Sequence, residues 1–236
     1  MKRVIEARGI GRQFGAGADQ FTLSLDEIVL EAGDCVAITG PSGCGKSTLL
    51  GLLALALRPA ASPGAAFSIG GADALSLWHR GDDRGLARLR AQTLGFVPQT
   101  SALLAFLSLR ENIALPQAIA GRPDPAYLTE IAASLGIAHV LARRPAEVSV
   151  GQRQRAAIAR AMAHRPPLIL ADEPTASVHP AQAEEILALL HRLATETGTA
   201  LLMATHDRPR AEAAGFAIAP CAPSGLSSSR FAWAGR

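Results

Sequence analysis

The sequence has 236 residues, of which 49% are hydrophobic and 18% are charged. This balance excludes an intrinsically disordered chain, and the length is sufficient for a single domain with a sizeable core. The net charge of +3 is mild and no long basic run is present, so we expect no nucleic-acid partner. The three cysteines are odd in number and lack metal-ligand spacing, which indicates free thiols in a reducing compartment.

No stretch of the sequence indicates a membrane segment. The first residues are charged and lack the apolar stretch of a secretion signal. The longest apolar run, 49–57, is far shorter than the ~20 residues of a membrane span. We therefore expect a cytoplasmic protein that reaches a membrane only through a partner.

Strands and helices alternate along most of the chain. Apolar runs and turn residues predict strands at 4–7, 21–25, 28–30, 35–39, 67–69, 94–98, 168–171, 200–204 and 216–218. Helices are predicted from Lys46 to about 58, at 85–90, at several places in 103–164, and at 181–195. Residues 59–64 are predicted as a loop. Such alternation predicts an α/β fold with a mostly parallel sheet and crossover helices.

A Gly-rich stretch between an apolar run and a predicted helix carries the strongest chemical signal. Its residues are Gly40, Pro41, Ser42, Gly43, Cys44, Gly45, Lys46, Ser47 and Thr48. Glycines allow successive backbone N–H groups to converge on a phosphate at a helix start. Lys46 is predicted to reach the β- and γ-phosphates of a nucleotide, and Ser47 to bind Mg²⁺. An ordinary turn is the alternative, which the flanking strand and helix disfavour.

Lysine usage supports this interpretation. Lysine occurs only at positions 2 and 46, although the chain has 23 Lys plus Arg residues. A compact ammonium fits a narrow phosphate loop, whereas a guanidinium is bulkier and planar. The sequence therefore predicts that position 46 requires the compact ammonium of lysine to bind phosphate.

Two acids and a histidine follow the ends of later apolar strands. Asp172 is predicted to hold Mg²⁺, directly or through water, and Glu173 to polarise the attacking water. A helix-capping role is the alternative for either acid. His206 follows the next apolar strand and is predicted at the same sheet edge, within reach of the γ-phosphate and the water. The other histidines that we considered are interpreted as structural, namely His79, His139, His164 and His191.

The stretch that begins at Ser149, with Val150, Gly151 and Gln152, resembles the signature motif of ATP-binding cassette (ABC) ATPases. Together with the phosphate loop, Gln99, the two acids and the histidine, this resemblance spans nearly the whole chain in the family's order. It implies ATP and Mg²⁺ as cofactors. It also implies that Ser149, Gly151 and Gln152 contact nucleotide, and that Gln99 contacts Mg²⁺ and water. Phe14 lies where the family has an adenine-stacking aromatic, although a core aromatic is the alternative.

The resemblance refines the predicted fold and domains. It implies an α/β P-loop NTPase core with a mostly parallel sheet, an N-terminal antiparallel β subdomain and an inserted α-helical subdomain. One ATP-binding domain would span 1–236, with the core at about 1–98 and 166–220 and the helical subdomain at about 99–165. The tail 221–236 is predicted to be weakly specified.

The family's mechanism implies partners. Two cassettes, identical or different, would close head to tail with each ATP between one phosphate loop and the other signature helix. Hydrolysis would drive separate transmembrane permease subunits from the inner face of the cell membrane. Residues 88–116 look most similar to lipoprotein-releasing and macrolide-efflux cassettes. An importer ATPase, a non-transport ABC ATPase and a plain P-loop kinase are the alternatives.

The sequence departs from the family pattern at two positions. Val150 stands where the signature usually has its first glycine, and a β-branched residue restricts the backbone there. His179 stands where the family usually has an aspartate at the dimer seam. We expect slowed closure or turnover, or a heterodimer with one altered site. Separately, Cys44 at a helix start could be a reactive thiol or simply fill space.

Overall fold

Two β-sheets and a helical insertion organise the chain in the computed structural model, which describes residues 2–15, 20–225 and 228–233. The first sheet has six strands in the order β10-β11-β2-β1-β4-β5. Neighbouring strands in this sheet pair antiparallel, except that β11 and β2 pair in parallel. The strands are β1 (Arg3–Phe14), β2 (Phe21–Glu31), β4 (Ala60–Ile69), β5 (Ala72–Asp73), β10 (Ala222–Gly225) and β11 (Ser228–Trp233).

The second sheet is entirely parallel, with five strands in the order β6-β7-β8-β3-β9. Strands β3 and β8 are buried along their whole length, as expected when helices or another sheet cover both faces. The strands are β3 (Cys35–Thr39), β6 (Leu94–Val97), β7 (Leu168–Asp172), β8 (Ala200–Thr205) and β9 (Ala217–Pro220).

Three helices form an insertion between β6 and β7, and the others flank the sheets. The insertion contains α4 (Leu109–Ile119), α5 (Pro125–Ser134) and α6 (Val150–Met162), with short 3-10 turns at Ala138–Val140 and Pro145–Glu147. Serine and glutamate or glutamine exchange hydrogen bonds in capping boxes that begin α4 and α6. The flanking helices are α1 (Lys46–Leu53), α2 (Ala74–Arg80), α3 (Asp83–Thr93), α7 (Pro180–Thr197) and α8 (Arg208–Ala213).

The parallel sheet separates two hydrophobic clusters. In β7, Ile169 and Ala171 pack in the cluster that contains the helical insertion. Leu168 and Leu170 of the same strand pack in the cluster that contains α1 and the first sheet. Alternate residues of a strand point to opposite faces, so a continuous apolar run fills both clusters at once.

The fold class expected from the sequence is confirmed, but three local predictions were wrong. The helix that starts at Lys46 ends at Leu53, because Leu55 has a left-handed backbone (φ 56°) and the next amides bond the Gly51 carbonyl. The predicted loop 59–64 lies mostly in β4, where Ala60 and Ala61 pair with β1. The pairing of β4 with β1 joins distant parts of the chain, and local turn residues do not report such a pairing.

The tail was also predicted wrongly. Strands β10 and β11 extend the first sheet, and Phe231 and Cys221 are almost fully buried. Residues 226–227 and 234–236 lie outside the described part of the chain. The division into a core and a helical subdomain at the residues given above stays a prediction. In the ranges that the structure describes, no helix is both long and apolar enough to cross a membrane.

The buried position of Phe231 predicts that the tail contributes to stability. Replacing the ring by a methyl group leaves a cavity, so Phe231→Ala is expected to lower the free energy of unfolding by about 3 kcal/mol. Urea denaturation measures this change, with the exposed neighbour substitution Ala232→Ser as the control. A loss as small as that of the control would contradict a structural role for the tail.

Candidate functional site

The carboxyl ends of three adjacent strands form the centre of the site. Strand β8 lies between β3 and β7, and its register pairs Thr205 with Thr39 and Ala204 with Asp172. The segments that follow these strands therefore emerge at one edge of the sheet. This is the edge at which parallel α/β sheets bind ligands.

A cavity of about 560 Å³ opens at this edge. It gathers most of the residues that the sequence singled out, from segments that are far apart in the chain. Its lining consists of Phe14, Phe21, Ser42, Gly43, Gly45, Lys46, Ser47, Thr48, Gln99, Glu173, Ala176 and His206. Ten of these were predicted as site residues, whereas Phe21 and Ala176 were not.

Phe21 is a lining residue that sequence reasoning placed only in a strand. It pairs with Phe14 across β1 and β2, so two aromatic rings face the same cavity. A Cβ added at Gly45 would lie 3.2 Å from ring carbons of Phe21, and Gly45 has a φ of 91°. The left-handed backbone favours glycine there, and a Cβ would fit only if the Phe21 ring shifted by a few tenths of an ångström. An aromatic residue at a strand start, opposite Phe14 in a hairpin, was the available signal.

The ammonium of Lys46 is held over the phosphate loop. Its Nζ donates to the carbonyl oxygens of Gly40 at 2.9 Å and Pro41 at 3.0 Å, and the residue is only 7% exposed. These neutral acceptors leave the positive charge uncancelled in a partly dehydrated place. Such an arrangement attracts an anion, because electrostatic attraction strengthens where water is excluded.

Ser47 and Asp172 bring two hard oxygen donors together. The Ser47 hydroxyl donates to Oδ1 of Asp172 at 3.0 Å across 125 positions of sequence. Burial raises the pKa of Asp172, and the hydrogen bond from Ser47 opposes that effect. Oxygen donors of this kind suit Mg²⁺, which takes one or two protein ligands beside phosphate and water. In the part of the chain that is described, no group of three or more His, Cys, Asp and Glu could hold a metal by itself.

Glu173 adopts an unusual backbone conformation at the mouth of the cavity. Its φ is 44°, a left-handed value that is costly for a residue with a side chain, and its amide donates to the Ala204 carbonyl at 2.9 Å. The carboxylate contacts Nδ1 of His206 at 2.9 and 3.0 Å. With Glu173 ionised, Nδ1 is the donor, and neutral His206 then presents Nε2 as an acceptor.

The signature residues do not line this cavity. Ser149 begins α6, where its hydroxyl accepts from the Gln152 amide at 3.2 Å and its own amide donates to Oε1 of Gln152 at 3.0 Å. Val150 is 43% exposed at the first position of the helix. A Cβ at Gly151 would meet the Gln182 side chain of α7. At this helix start Ser149 and Val150 are exposed and Gly151 is buried, and none of the signature residues is in the lining of the cavity.

Four other predicted residues of the site, Gly40, Pro41, Cys44 and Asp172, are not in the lining of the cavity. Cys44 is 4% exposed, and the Cys221 thiol donates to its carbonyl oxygen at 3.2 Å. Burial raises the pKa of Cys221 to about 12. Structural cysteines that are buried are inert, so the 4% exposure of Cys44 favours a space-filling role over a reactive one.

The tight position of Lys46 predicts that arginine cannot replace it. Lys46→Arg places a longer, planar group among the loop carbonyls, and we expect the dissociation constant for ATP to rise by about tenfold or more. Titration with a fluorescent ATP analogue measures the constant. Lys2→Arg changes the other lysine, which is exposed, and is expected to bind like the parent. Equal binding by both variants would contradict the proposed fit.

The chain is similar to proteins of known family. Residues 24–176 match the model of the ABC transporter family. A lipoprotein-releasing system ATP-binding protein, LolD, of Idiomarina loihiensis is 40% identical over 89% of this chain and 90% of its own length. LolD 2 of Caulobacter vibrioides is 39% identical over 86% of this chain and 88% of its own length.

Solved structures agree with the sequence comparison. A dimeric post-hydrolysis state of the ATP-binding cassette MJ0796, bound to ADP and Pi, superposes with a TM-score of 0.77. It is 30% identical, and the alignment covers 92% of this chain and 93% of that one. A putative metal-chelate type ABC transporter superposes with a TM-score of 0.71 at 27% identity, over 93% of this chain and 80% of that one. Family match, relatives and fold together establish that the chain belongs to the ABC transporter ATPases, which bind and hydrolyse ATP.

Proposed function

We propose that this chain is the ATP-hydrolysing subunit of a complex that drives separate transmembrane subunits in lipoprotein release. One observation carries the proposal: the 560 Å³ cavity brings Lys46, Ser47 and the Glu173–His206 pair to one sheet edge, where Ser47 also hydrogen-bonds Asp172. The similarity to LolD proteins over most of both chains supports lipoproteins as the cargo.

The near side of the site binds the nucleotide. Phe14 stacks on the adenine, and base stacking of this kind contributes on the order of 1–3 kcal/mol in nucleic-acid complexes. Lys46 leaves the carbonyls of its own loop to contact the β- and γ-phosphates. Backbone amides of the loop and of the start of α1 face the same phosphates. The loop residues involved are Gly40, Pro41, Ser42, Gly43, Cys44, Gly45, Ser47 and Thr48.

Mg²⁺ fits the oxygen donors of this site. Ser47 and Asp172 would hold it, and Gln99, which lines the same cavity, would contact it and the attacking water. When bound, the ion neutralises charge that develops on the phosphate oxygens.

Glu173 and His206 perform the proton chemistry. The Glu173 carboxylate accepts a proton from water as that water attacks the γ-phosphorus, and the products are ADP and phosphate. His206 donates Nδ1–H to the carboxylate, and its Nε2 accepts a hydrogen bond from the water beside the γ-phosphate; a bond to a phosphate oxygen would require the doubly protonated ring, in which Nε2 donates. The strained backbone of Glu173 fixes the carboxylate at the cavity mouth.

The far side of the site comes from a second cassette. Ser149, Gly151 and Gln152 lie away from the chain's own cavity, and the start of α6 is open to contact another subunit. Helix dipoles favour anions at such a start. The dimeric structures of MJ0796 support this arrangement. The complex sits at the inner face of the cell membrane through its permease subunits.

Removing the base while retaining its size tests this role. Glu173→Gln is expected to lower kcat by about a hundredfold or more, because an amide accepts no proton, while ATP affinity is retained. Phosphate release measures kcat, and size-exclusion chromatography with ATP measures dimer accumulation. Glu196→Gln alters an exposed glutamate of α7 and is the matched control. Turnover equal to that of the parent would contradict the proposal. Affinity purification of Glu173→Gln from membranes with ATP is a further test, and recovery of a monomer without a membrane protein would also contradict it.

In the proposed head-to-tail dimer, the two residues that depart from the family pattern act on the nucleotide site of the other cassette. Val150 lies exposed at the start of α6, and His179 caps α7, with Nδ1 accepting from the Ala181 amide at 3.4 Å. We expect the double variant Val150→Gly with His179→Asp to raise turnover severalfold while ATP affinity is unchanged, because closure of the dimer becomes easier. Phosphate release and ATP titration measure the two quantities. Unchanged turnover in the presence of the membrane partner would mean that both departures are neutral.

A further inference from the structure

The segment that carries Gln99 has no regular secondary structure. It runs from the end of β6 to the start of α4, over residues 98–108. Gln99 is exposed and lines the cavity, so its place depends on what holds this segment. Loops without their own hydrogen-bond ladder require side chains from elsewhere to fix them.

Arg160 of α6 binds two consecutive carbonyls of this segment. Its Nη1 donates to the Ala102 oxygen at 2.7 Å and its Nη2 to the Ser101 oxygen at 3.0 Å. The guanidinium is a rigid planar fork that meets both acceptors at once. Ala102 has a φ of 44°, a left-handed conformation that a residue with a side chain adopts at a cost. The clamp therefore lies on the strained point of the loop.

Two other side chains complete the attachment. Asn112 of α4 is fully buried; its Oδ1 accepts from the Leu104 amide at 2.7 Å and its Nδ2 donates to the Leu107 oxygen at 3.2 Å. The Ser177 hydroxyl, from the segment after Glu173, donates to the Gln99 oxygen at 3.3 Å. Among these three attachments, only Arg160 belongs to α6, the helix that begins at the signature residues.

We propose that Arg160 is a positioning residue for ATP hydrolysis, which holds the Gln99 loop to the signature helix. Because Arg160 lies on the same rigid helix as the residues at its start, α6 and the Gln99 loop move as one unit. Displacing the loop would move the Gln99 amide relative to the cavity that it lines. This inference rests on the proposed contact of Gln99 with the metal and the water.

Three variants separate the clamp from general stability. Arg160→Gln removes the fork, and Arg160→Lys keeps the charge but cannot span two carbonyls. Arg155→Gln is the matched control, because Arg155 also lies on α6 but binds the Leu135 oxygen and Glu185, far from the loop.

Two measurements report on the loop and on the reaction. Amide hydrogen exchange of the nucleotide-free protein is expected to accelerate over 99–104 in Arg160→Gln and less in Arg160→Lys. The kcat of ATP hydrolysis is expected to fall about tenfold or more in Arg160→Gln, because misplacing a positioning group strongly slows chemistry, with partial rescue by lysine. The dissociation constant for ATP and the exchange over 40–48 are expected to be unchanged. Arg155→Gln is expected to resemble the parent in every measurement.

Parent-like exchange over 99–104, or parent-like kcat, in Arg160→Gln would overturn the inference. A general loss of exchange protection with weaker ATP binding would also overturn it, since it would assign Arg160 a purely structural role. The variant Gln99→Ala separates the underlying assumption: parent-like kcat in Gln99→Ala would refute the role of Gln99 itself. In that case, faster amide exchange over 99–104 in Arg160→Gln would still show that Arg160 holds the loop in place.

Discussion

The pairing of β8 between β3 and β7 is the constraint on which the rest of the structure depends. A parallel register aligns the ends of all three strands, so residues 40, 173 and 206 leave the sheet at one edge. The apolar strands drive this pairing because they bury both faces at once. A shift of one residue would exchange the two faces and separate the acids from the phosphate loop. The same strand register is therefore required both for the packing of the core and for the geometry of the site.

Several site residues adopt states that folding alone would disfavour. Lys46 is a nearly buried ammonium whose partners are two loop carbonyls and the Cys44 sulfur, and Glu173 has a left-handed backbone. A backbone of that kind costs about 1–3 kcal/mol. The surrounding strands maintain these states because the burial of their apolar side chains stabilises the fold by more than this cost. In the proposed mechanism this cost has a functional return, since the positive charge, the metal-binding oxygens and the base are gathered at one sheet edge before nucleotide binds.

In the proposed dimer the cavity is one half of a composite site. Its lining supplies most of the phosphate loop, Gln99 and Glu173, whereas the signature residues at the start of α6 lie outside that lining, with Ser149 and Val150 exposed. Arg160 links these two parts within one chain, because its helix begins at the signature and its guanidinium binds the loop after Gln99. A second cassette that contacts the start of α6 would thus be connected to the position of Gln99 by a single rigid helix.

The sequence by itself determined the phosphate loop around Lys46, the acid pair and the α/β class, because these patterns are local and each combines spacing with a flanking strand or helix. It also identified Gln99 and the signature through their resemblance to a family. Only the tertiary structure decided that Phe21 lines the cavity, that Arg160 clamps a loop 58 positions away, and that Phe231 anchors the tail. These facts depend on contacts between residues that are distant in sequence, and no local periodicity encodes such contacts.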